Sequence, residues 1–576
     1  MCGILFYLAH QPLSDEQLKK LGKLNNRGPD NTKHLSYKCG RHAYFSRLAI
    51  IKPGGTNGNI QAWQDLSGDE TGMQPLEQIC KIGMGWKILC NGEIFNYKDL
   101  ALQYGIDKTK LRTDIDLVLE LVIRNWETPG EWLHKLNGDF ASVVFPGNGI
   151  DACKTGLLFR DPTGIRPLYT AFTKDNCFLG AASLKSALAL IPGVARIEEF
   201  PPGHYWRFKP EPGCPLTPDE QEPTRYINLE SNLRLSGTAL LTNYELAKSG
   251  IYTNLESAIR KRLLHSDVPV GFLCSGGLDS SIILMLGYQI WTNELNQPPE
   301  NLKVFSIEYA GAGQSSDAFY ARLLTDKLKV AHTVFKFTKE DIAQNLDDII
   351  ATVETDDYKS IRAAIPQYFL AKQIRATTDI RVIFSGEGAD ELFGGYNYFN
   401  IAPDGNAVVM ESCRLVRNLH RYDVLRADRT VSNAGLEIRV PFLDKDFIRF
   451  VNSISGQLRN TRVEKEILRD TFRDYKVLKD CRIIDRPKEK FSDGCGLGYI
   501  PELMRIAAER CGADPTQSAH LLEKYECEYI KAKYLELFQV VDIQIASNIE
   551  FRELPEWAEK KNKNKEQLSL FINNTA

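Results

Sequence analysis

The sequence predicts a two-part chain: an α+β domain of sheets and helices, then an α/β domain on a parallel sheet with a helical C-terminal part. Three observations carry this. Prolines fall at 201, 202, 210, 212, 215, 218 and 223, a density that sustains neither a helix nor a central strand and so marks a boundary. Before it, short β-rich runs dominate. After it, strands and helices alternate, the rhythm of a parallel sheet wrapped by helices.

In the first half, Gly3–Leu8, Trp86–Leu89, Phe140–Phe145 and Gly156–Arg160 read as strands. Asp114–Trp126 is the best helix, with Ile115, Val118, Leu119, Val122 and Ile123 at helical spacing and a capping box from Thr113 to Asp116. In the second half, strand Val268–Cys274 precedes a helix from Leu278 to Gln289, and strand Val304–Tyr309 precedes a helix from Ser316 to Leu328. Strand Val382–Phe384 precedes a helix from Ala389. From about Val408 the pattern is mostly helical. The lysine-rich stretch after Trp557 reads as a solvated, disordered tail.

A length of 576 residues allows two to four domains. An apolar share of 43% and a charged share of 25% are those of an ordinary globular protein. A net charge of −3 gives no sign of nucleic acid or an anionic membrane as partner. The 13 cysteines are odd in number and scattered without a CxxC pair, so they read as free thiols in a reducing, cytoplasmic compartment. Met1–Ala9 lacks the basic start of a signal peptide, and no apolar run is long enough to span a membrane.

Cys2 follows the initiator methionine. Removing Met1 would put a thiol and a free α-amine on one residue. With unperturbed pKa values of roughly 7.7–8.0 and 8.5, the amine can take the thiol's proton near neutral pH. Taken alone, Cys2 reads better as a small apolar residue opening a buried strand.

Two loops point to phosphate. Strand Val268–Cys274 runs into Ser275-Gly276-Gly277-Leu278-Asp279-Ser280-Ser281 and then a helix. The glycines admit an anion, the helix start offers unpaired N–H groups, and the serines add hydroxyl donors. Asp279 would be repelled by phosphate alone, which suggests that it holds Mg²⁺. No Gly-Lys-Ser/Thr follows, so this is not a Walker loop. The second loop, Ser385-Gly386-Glu387-Gly388-Ala389-Asp390-Glu391, closed by Phe393-Gly394-Gly395-Tyr396, repeats the design. There Asp390 could share the metal, and Glu387 could position a nucleophile or move a proton. Each loop alone also reads as an ordinary helix start.

With these loops the chain resembles the glutamine-hydrolysing asparagine synthetases. The first half is similar to class II glutamine amidotransferases through Cys2-Gly3-Ile4, Arg27-Gly28-Pro29-Asp30, Arg47-Leu48-Ala49-Ile50, Asn91-Gly92-Glu93-Ile94-Phe95-Asn96-Tyr97, Gly138-Asp139-Phe140, Arg160-Asp161-Pro162-Thr163-Gly164 and Pro201-Pro202-Gly203-His204. The second half adds the two loops, Glu354-Thr355, Ser360-Ile361-Arg362-Ala363, Glu437-Ile438-Arg439-Val440-Pro441-Phe442-Leu443-Asp444, and Lys488-Glu489-Lys490-Phe491-Ser492-Asp493-Gly494.

The resemblance implies an N-terminal-nucleophile hydrolase sandwich (αββα) at 2–205 and a Pro-rich linker at 206–230. It implies an ATP-pyrophosphatase synthetase domain at 231–555, leaving a disordered tail at 556–576. It also implies roles. Cys2 attacks glutamine, with Asn91 and the Gly92 N–H as oxyanion hole. Arg47, Leu48, Ala49, Ile50, Ile51, Glu93 and Asp114 complete the glutamine pocket. Asp114 alone would read as helix-dipole compensation, worth about 0.3–1 kcal/mol. ATP lies along Leu273, Ser275, Gly276, Gly277, Asp279, Ser280, Ser281, Ile307, Ser385, Gly386 and Glu387. Asp279 and Asp390 hold Mg²⁺, and Arg362 and Lys488 face aspartate or its activated intermediate. Glu387 and Lys488 count among the catalytic residues.

The implied reaction turns aspartate, glutamine, ATP and water into asparagine, glutamate, AMP and diphosphate. Ammonia would travel through an apolar-lined tunnel to β-aspartyl-AMP. The same chemistry would also serve another carboxylate acceptor. A homodimer is compatible with the resemblance. The chain departs from the family at an insertion over 52–72, at Asn26, at Leu184, and at Lys359-Ser360 beside Arg362.

Overall fold

The described residues of the computed structural model are 1–37, 40–50, 86–111, 113–147, 155–209, 212–213, 222–230, 240–311, 315–459, 463–489, 494–496, 498–538, 544–545 and 554–559. Ile51, the 52–72 insertion, the motif residues 490–493 and the tail beyond 559 therefore lie outside them.

The strands of the first half are β1 (Gly3–Leu8), β2 (Asn31–Tyr37), β3 (Arg41–Arg47), β4 (Trp86–Ile94), β5 (Gly138–Pro146), β6 (Gly156–Arg160), β7 (Tyr169–Phe172), β8 (Phe178–Ala182), β9 (Arg196–Glu199), β10 (His204–Phe208) and β11 (Thr224–Arg225). The second half supplies β12 (Val270–Leu273), β13 (Lys303–Tyr309), β14 (Ala331–Phe337), β15 (Val382–Phe384), β16 (Glu437–Arg439) and β17 (Gln544–Ile545).

Two sheets stack face to face in the first half, in the orders β17-β9-β7-β8-β1-β3-β2 and β11-β10-β6-β5-β4. Their inner faces share one core, with Ile4, Phe6 and Phe45 from one sheet against Leu89, Val143 and Leu158 from the other. Helix Asp114–Arg124 covers the outer face of the second sheet through Leu117, Val118 and Leu121. Leu21, Leu24 and Leu188, from helical segments, cover the outer face of the first. The layers therefore run helix, sheet, sheet, helix, as the resemblance implies. β1 is buried on both faces and paired on both edges, which is why its sequence is a continuous apolar run rather than an alternating one.

The proline count hid β10. It occupies the proline-free window between Pro202 and Pro210 and pairs with both β6 and β11, although no central strand is expected in that stretch.

The third sheet is wholly parallel, in the order β14-β13-β12-β15-β16. β12 and β15 are neighbours, aligned Val270 to Val382 and Phe272 to Phe384. The loops that follow them therefore leave the same edge side by side, the usual place for a ligand in an open parallel sheet. Strand β16 interrupts the mostly helical pattern expected after Val408. The C-terminal β17 returns to pair with β9 of the first half. Among the described residues, no helix is long and apolar enough to cross a membrane.

Candidate active site

Two sites lie on either side of the contact between the halves. The first surrounds Cys2, just before β1. The Arg27 guanidinium, in the Arg-Gly-Pro-Asp motif, donates to the Cys2 carbonyl at 3.1 Å. It also pairs with Asp428 of the second half at 2.7 Å. The Cys2 N–H donates to Asn91 Oδ1 at 2.8 Å. That leaves Asn91 Nδ2, fully buried on β4, with no partner among the described residues. A buried donor left unpaired costs about 1–3 kcal/mol, so its place beside a nucleophile fits an oxyanion acceptor. Gly92 follows on the same strand. Asn91→Ala is expected to lower the turnover of glutamine roughly 10²–10³-fold, about 2.7–4 kcal/mol. The ammonium-dependent asparagine formation that the resemblance implies should stay unchanged, as steady-state assays with each nitrogen source would show.

The other residues expected to line a glutamine pocket lie around the same strands. Arg47 ends β3, and the Leu48 carbonyl lies 4.0 Å from Cys2 Sγ. The Ala49 N–H donates to Asp30 at 2.8 Å, so the Arg-Gly-Pro-Asp motif also anchors this segment. Asp114 is buried at the start of its helix, where the Thr113–Asp116 capping box forms. Its carboxylate accepts the Ile94 N–H at 2.7 Å, and burial pushes its carboxyl up to about 7. The Glu93 side chain turns away to Arg439 of the second half, at 2.5 Å.

Met1 is present and buried. Its amine lies 3.4 Å from Glu437, and its sulfur rests against Arg166. While Met1 remains, the Cys2 nitrogen is an amide and cannot act as a base. Burial then raises the Cys2 thiol above its ordinary pKa.

The second site forms where the two loops meet. Gly276 adopts φ +67°, and a Cβ there would come within 2.6 Å of Tyr320 Cβ, so only glycine lets the loop lie against helix Ser316–Leu328. Ser275 and Ser280 hydroxyls face each other at 3.2 Å. Gly277 caps helix Leu278–Asn293 without a side-chain bond, and Ser281 Oγ is buried without a partner among the described residues. The helix start thus keeps donors for an anion. Leu273 ends β12, and buried Ile307 lies on the adjacent β13. The Ser385 N–H donates to the Arg439 carbonyl at 3.0 Å. Gly386 lies against Asp279: a Cβ would sit 3.0 Å from Asp279 Cβ.

The charges here are dense. Lys465 Nζ is 2.6 Å from both Asp279 and Asp390, and Lys488 also pairs with Asp390. Lys488 stands 4.8 Å over the Tyr396 ring. Burial opposes ionisation of Asp390, but the two ammoniums outweigh it and hold its carboxyl below the usual range. Burial raises Asp279 instead. Glu387 pairs with Arg426 at 3.0 Å, and burial raises its carboxyl.

The structure brings Asp279, Asp390, Glu387 and Lys488 together. The Arg362 guanidinium pairs with Glu526 at 2.5 Å and Glu523 at 3.2 Å, both on helix Ala519–Glu536. Ser360, beside it, hydrogen-bonds to the helix cap Asp357 at 2.6 Å. Sequence reasoning missed Lys465 and Arg426. Lys465 opens a short helix in an otherwise unmarked stretch, with no local signal that it reaches Asp279.

Between the sites, Leu48, Ile50, Ile165 and Met1 join an apolar cluster continuous with the core of the second half. Around it, Arg262 pairs with Asp139 at 3.1 Å and with Asp444 at 2.6 Å, and Arg439 with Glu437 at 2.9 Å. Asn26 contacts Asn433 at 2.9 Å. Leu184 is buried where the Glu354 carboxylate, from the other half, accepts the next two backbone N–H groups, those of Lys185 and Ser186, at 2.9 and 3.0 Å.

The two-site layout agrees with comparisons to known proteins. The glutamine amidotransferase domain family matches residues 1–212, and the asparagine synthase family matches residues 250–409 and 402–539. A probable glutamine-hydrolysing asparagine synthetase of Acanthamoeba polyphaga mimivirus is 33% identical over 532 residues, 88% of each chain. The glutamine-hydrolysing asparagine synthetases of Cricetulus griseus and Homo sapiens are each 34% identical, across 86% of this chain and 84% of theirs. With both halves matched and relatives similar along most of its length, this chain belongs to the glutamine-hydrolysing asparagine synthetase family.

Proposed function

We propose that the chain makes asparagine from aspartate, glutamine and ATP, releasing glutamate, AMP and diphosphate. One observation supports this beyond family membership: the groups around Cys2 connect to the second loop through Arg439, which pairs with Glu93 and whose carbonyl accepts the Ser385 N–H, across a buried, partly apolar interface.

At the first site Met1 must leave, freeing the Cys2 amine as base. Cys2 Sγ then attacks the glutamine amide carbon, and Asn91 Nδ2 and the Gly92 N–H hold the developing oxyanion. Ammonia departs with a proton passed through the amine, and water hydrolyses the thioester to glutamate. Arg47 grips the glutamine carboxylate and Asp114 its ammonium. A carboxyl raised to about 7 is protonated below that pH and then offers the ammonium no charge. The glutamine KM is therefore expected to rise roughly tenfold per unit as pH falls below 7. In Asp114→Asn it should be high and flat across pH 6–8, as initial-rate profiles would show.

In the cleft, the β-carboxylate of aspartate attacks the α-phosphorus of ATP and diphosphate leaves. Ammonia then displaces AMP from the acyl carbon. Arriving through the interface unprotonated, it avoids becoming ammonium, which is not a nucleophile. Glu387 accepts the proton that ammonia sheds, and Lys488 neutralises charge on phosphate. Asp279 and Asp390 fit a shared Mg²⁺: they converge on one cation, and Asp279 Oδ1 is buried without a hydrogen-bond partner among the described residues. Two carboxylates alone would need further oxygens to complete a Mg²⁺ shell, which nucleotide phosphates and water supply. When bound, Mg²⁺ would neutralise charge on the leaving diphosphate.

The compartment we propose is cytoplasmic, with a second copy of the chain as the compatible assembly partner. Asparagine yield measured against other carboxylate acceptors tests the substrate. Product from a different acceptor at the aspartate rate would overturn the assignment.

A further inference from the structure

Lys465 has no part in the scheme above, yet it bridges the two loops. Its ammonium is buried and touches both carboxylates proposed to hold Mg²⁺, at 2.6 Å each. Its backbone is left-handed, φ +57°, a conformation lysine disfavours. Gly395 makes room for the pair, because a Cβ there would collide with both Asp390 Oδ1 and Lys465 Cε. Glu464, one residue earlier, accepts the Lys488 backbone N–H at 3.1 Å, so the segments bearing the two lysines are tied together.

The four groups in direct contact balance one another. Two carboxylates face two ammoniums, Lys465 and Lys488, and sum to zero. A Mg²⁺ ion needs oxygens at about 2.0–2.1 Å, and Lys465 Nζ, 2.6 Å from an oxygen of each carboxylate, stands where an ion bridging the two would have to lie. Adding it alone would leave two excess positive charges in a buried place. Nucleotide phosphates bring the negative charge that lets both lysines move off the carboxylates.

We propose that Lys465 is a positioning residue that serves as a resident counter-ion: it fills the metal seat between Asp279 and Asp390 and yields it only when nucleotide phosphate arrives with the metal. This rests on the reading of Asp279 and Asp390 as metal ligands. Metal binding is then conditional on nucleotide, and the empty cleft keeps its carboxylates paired.

The test is Mn²⁺ binding to the full chain, read by electron paramagnetic resonance, with and without α,β-methylene ATP. The parent protein is expected to bind one Mn²⁺ with nucleotide and at least about tenfold more weakly without it. Lys465→Met, or Lys465→Gln should the first fail to fold, is expected to bind Mn²⁺ without nucleotide. Lys465→Arg should behave as the parent, and adding Asp279→Asn to Lys465→Met should abolish the nucleotide-free site. If the parent binds Mn²⁺ without nucleotide as tightly as Lys465→Met, the counter-ion role is wrong while the metal site stands. If Asp279→Asn and Asp390→Asn leave nucleotide-dependent binding unchanged, the metal reading fails and takes the inference with it.

Discussion

Cys2→Ala is expected to lower glutamine-dependent asparagine formation at least about 10³-fold and to leave synthesis from ammonium within about threefold of the parent. The substitution removes only the sulfur. The backbone contacts that seat residue 2, its N–H to Asn91 and its carbonyl to Arg27, do not depend on the side chain. The synthetase cleft, built on the parallel sheet, keeps all its groups. A chain with an N-terminal extension that cannot be cleaved should give the same result, because the Cys2 nitrogen stays an amide. Measuring asparagine with each nitrogen source decides it. Loss of the ammonium-dependent rate together with the glutamine-dependent one would contradict two separate sites.

Lys488→Met is the mirror case. Lys488 pairs with Asp390 and stands over Tyr396, so its charge faces the cleft where phosphate would lie. Removing a cation aimed at charge that develops in a dry site costs on the order of 10²–10³ in rate. Asparagine formation should fall by that factor with glutamine and with ammonium alike, while glutamine hydrolysis to glutamate continues. Equal loss of hydrolysis would mean that Lys488 supports the fold or the coupling between sites rather than the synthetase step. Lys465 still neutralises Asp390 in this variant, which keeps the cleft from being left with an unpaired buried carboxylate.

The sequence made apolar strands visible and polar ones not. β1 and β15 show as unbroken apolar runs because both their faces are covered. β2, Asn-Thr-Lys-His-Leu-Ser-Tyr, and β14, Ala-His-Thr-Val-Phe-Lys-Phe, are edge strands that water partly solvates, so neither carries that signal. The site divides in the same way. Asp279 and Asp390 sit in compact loops that together point to phosphate, whereas the roles of Cys2, Asn91 and Lys488 follow from the ordered set of motifs that carries the resemblance. Lys465 reaches Asp279 across 186 residues of chain, and Arg426 reaches Glu387 across 39. Such pairings are fixed by packing, and local pattern holds no trace of them. Arg362 likewise pairs with Glu526, 164 residues away and unremarkable within its helix.

The most direct test is product stoichiometry. The purified chain, given glutamine, aspartate, ATP and Mg²⁺, should form asparagine, AMP and diphosphate in equal amounts, with at least as much glutamate. Formation of ADP and phosphate, or of glutamate without asparagine, would contradict a glutamine site that feeds nitrogen to an adenylated aspartate.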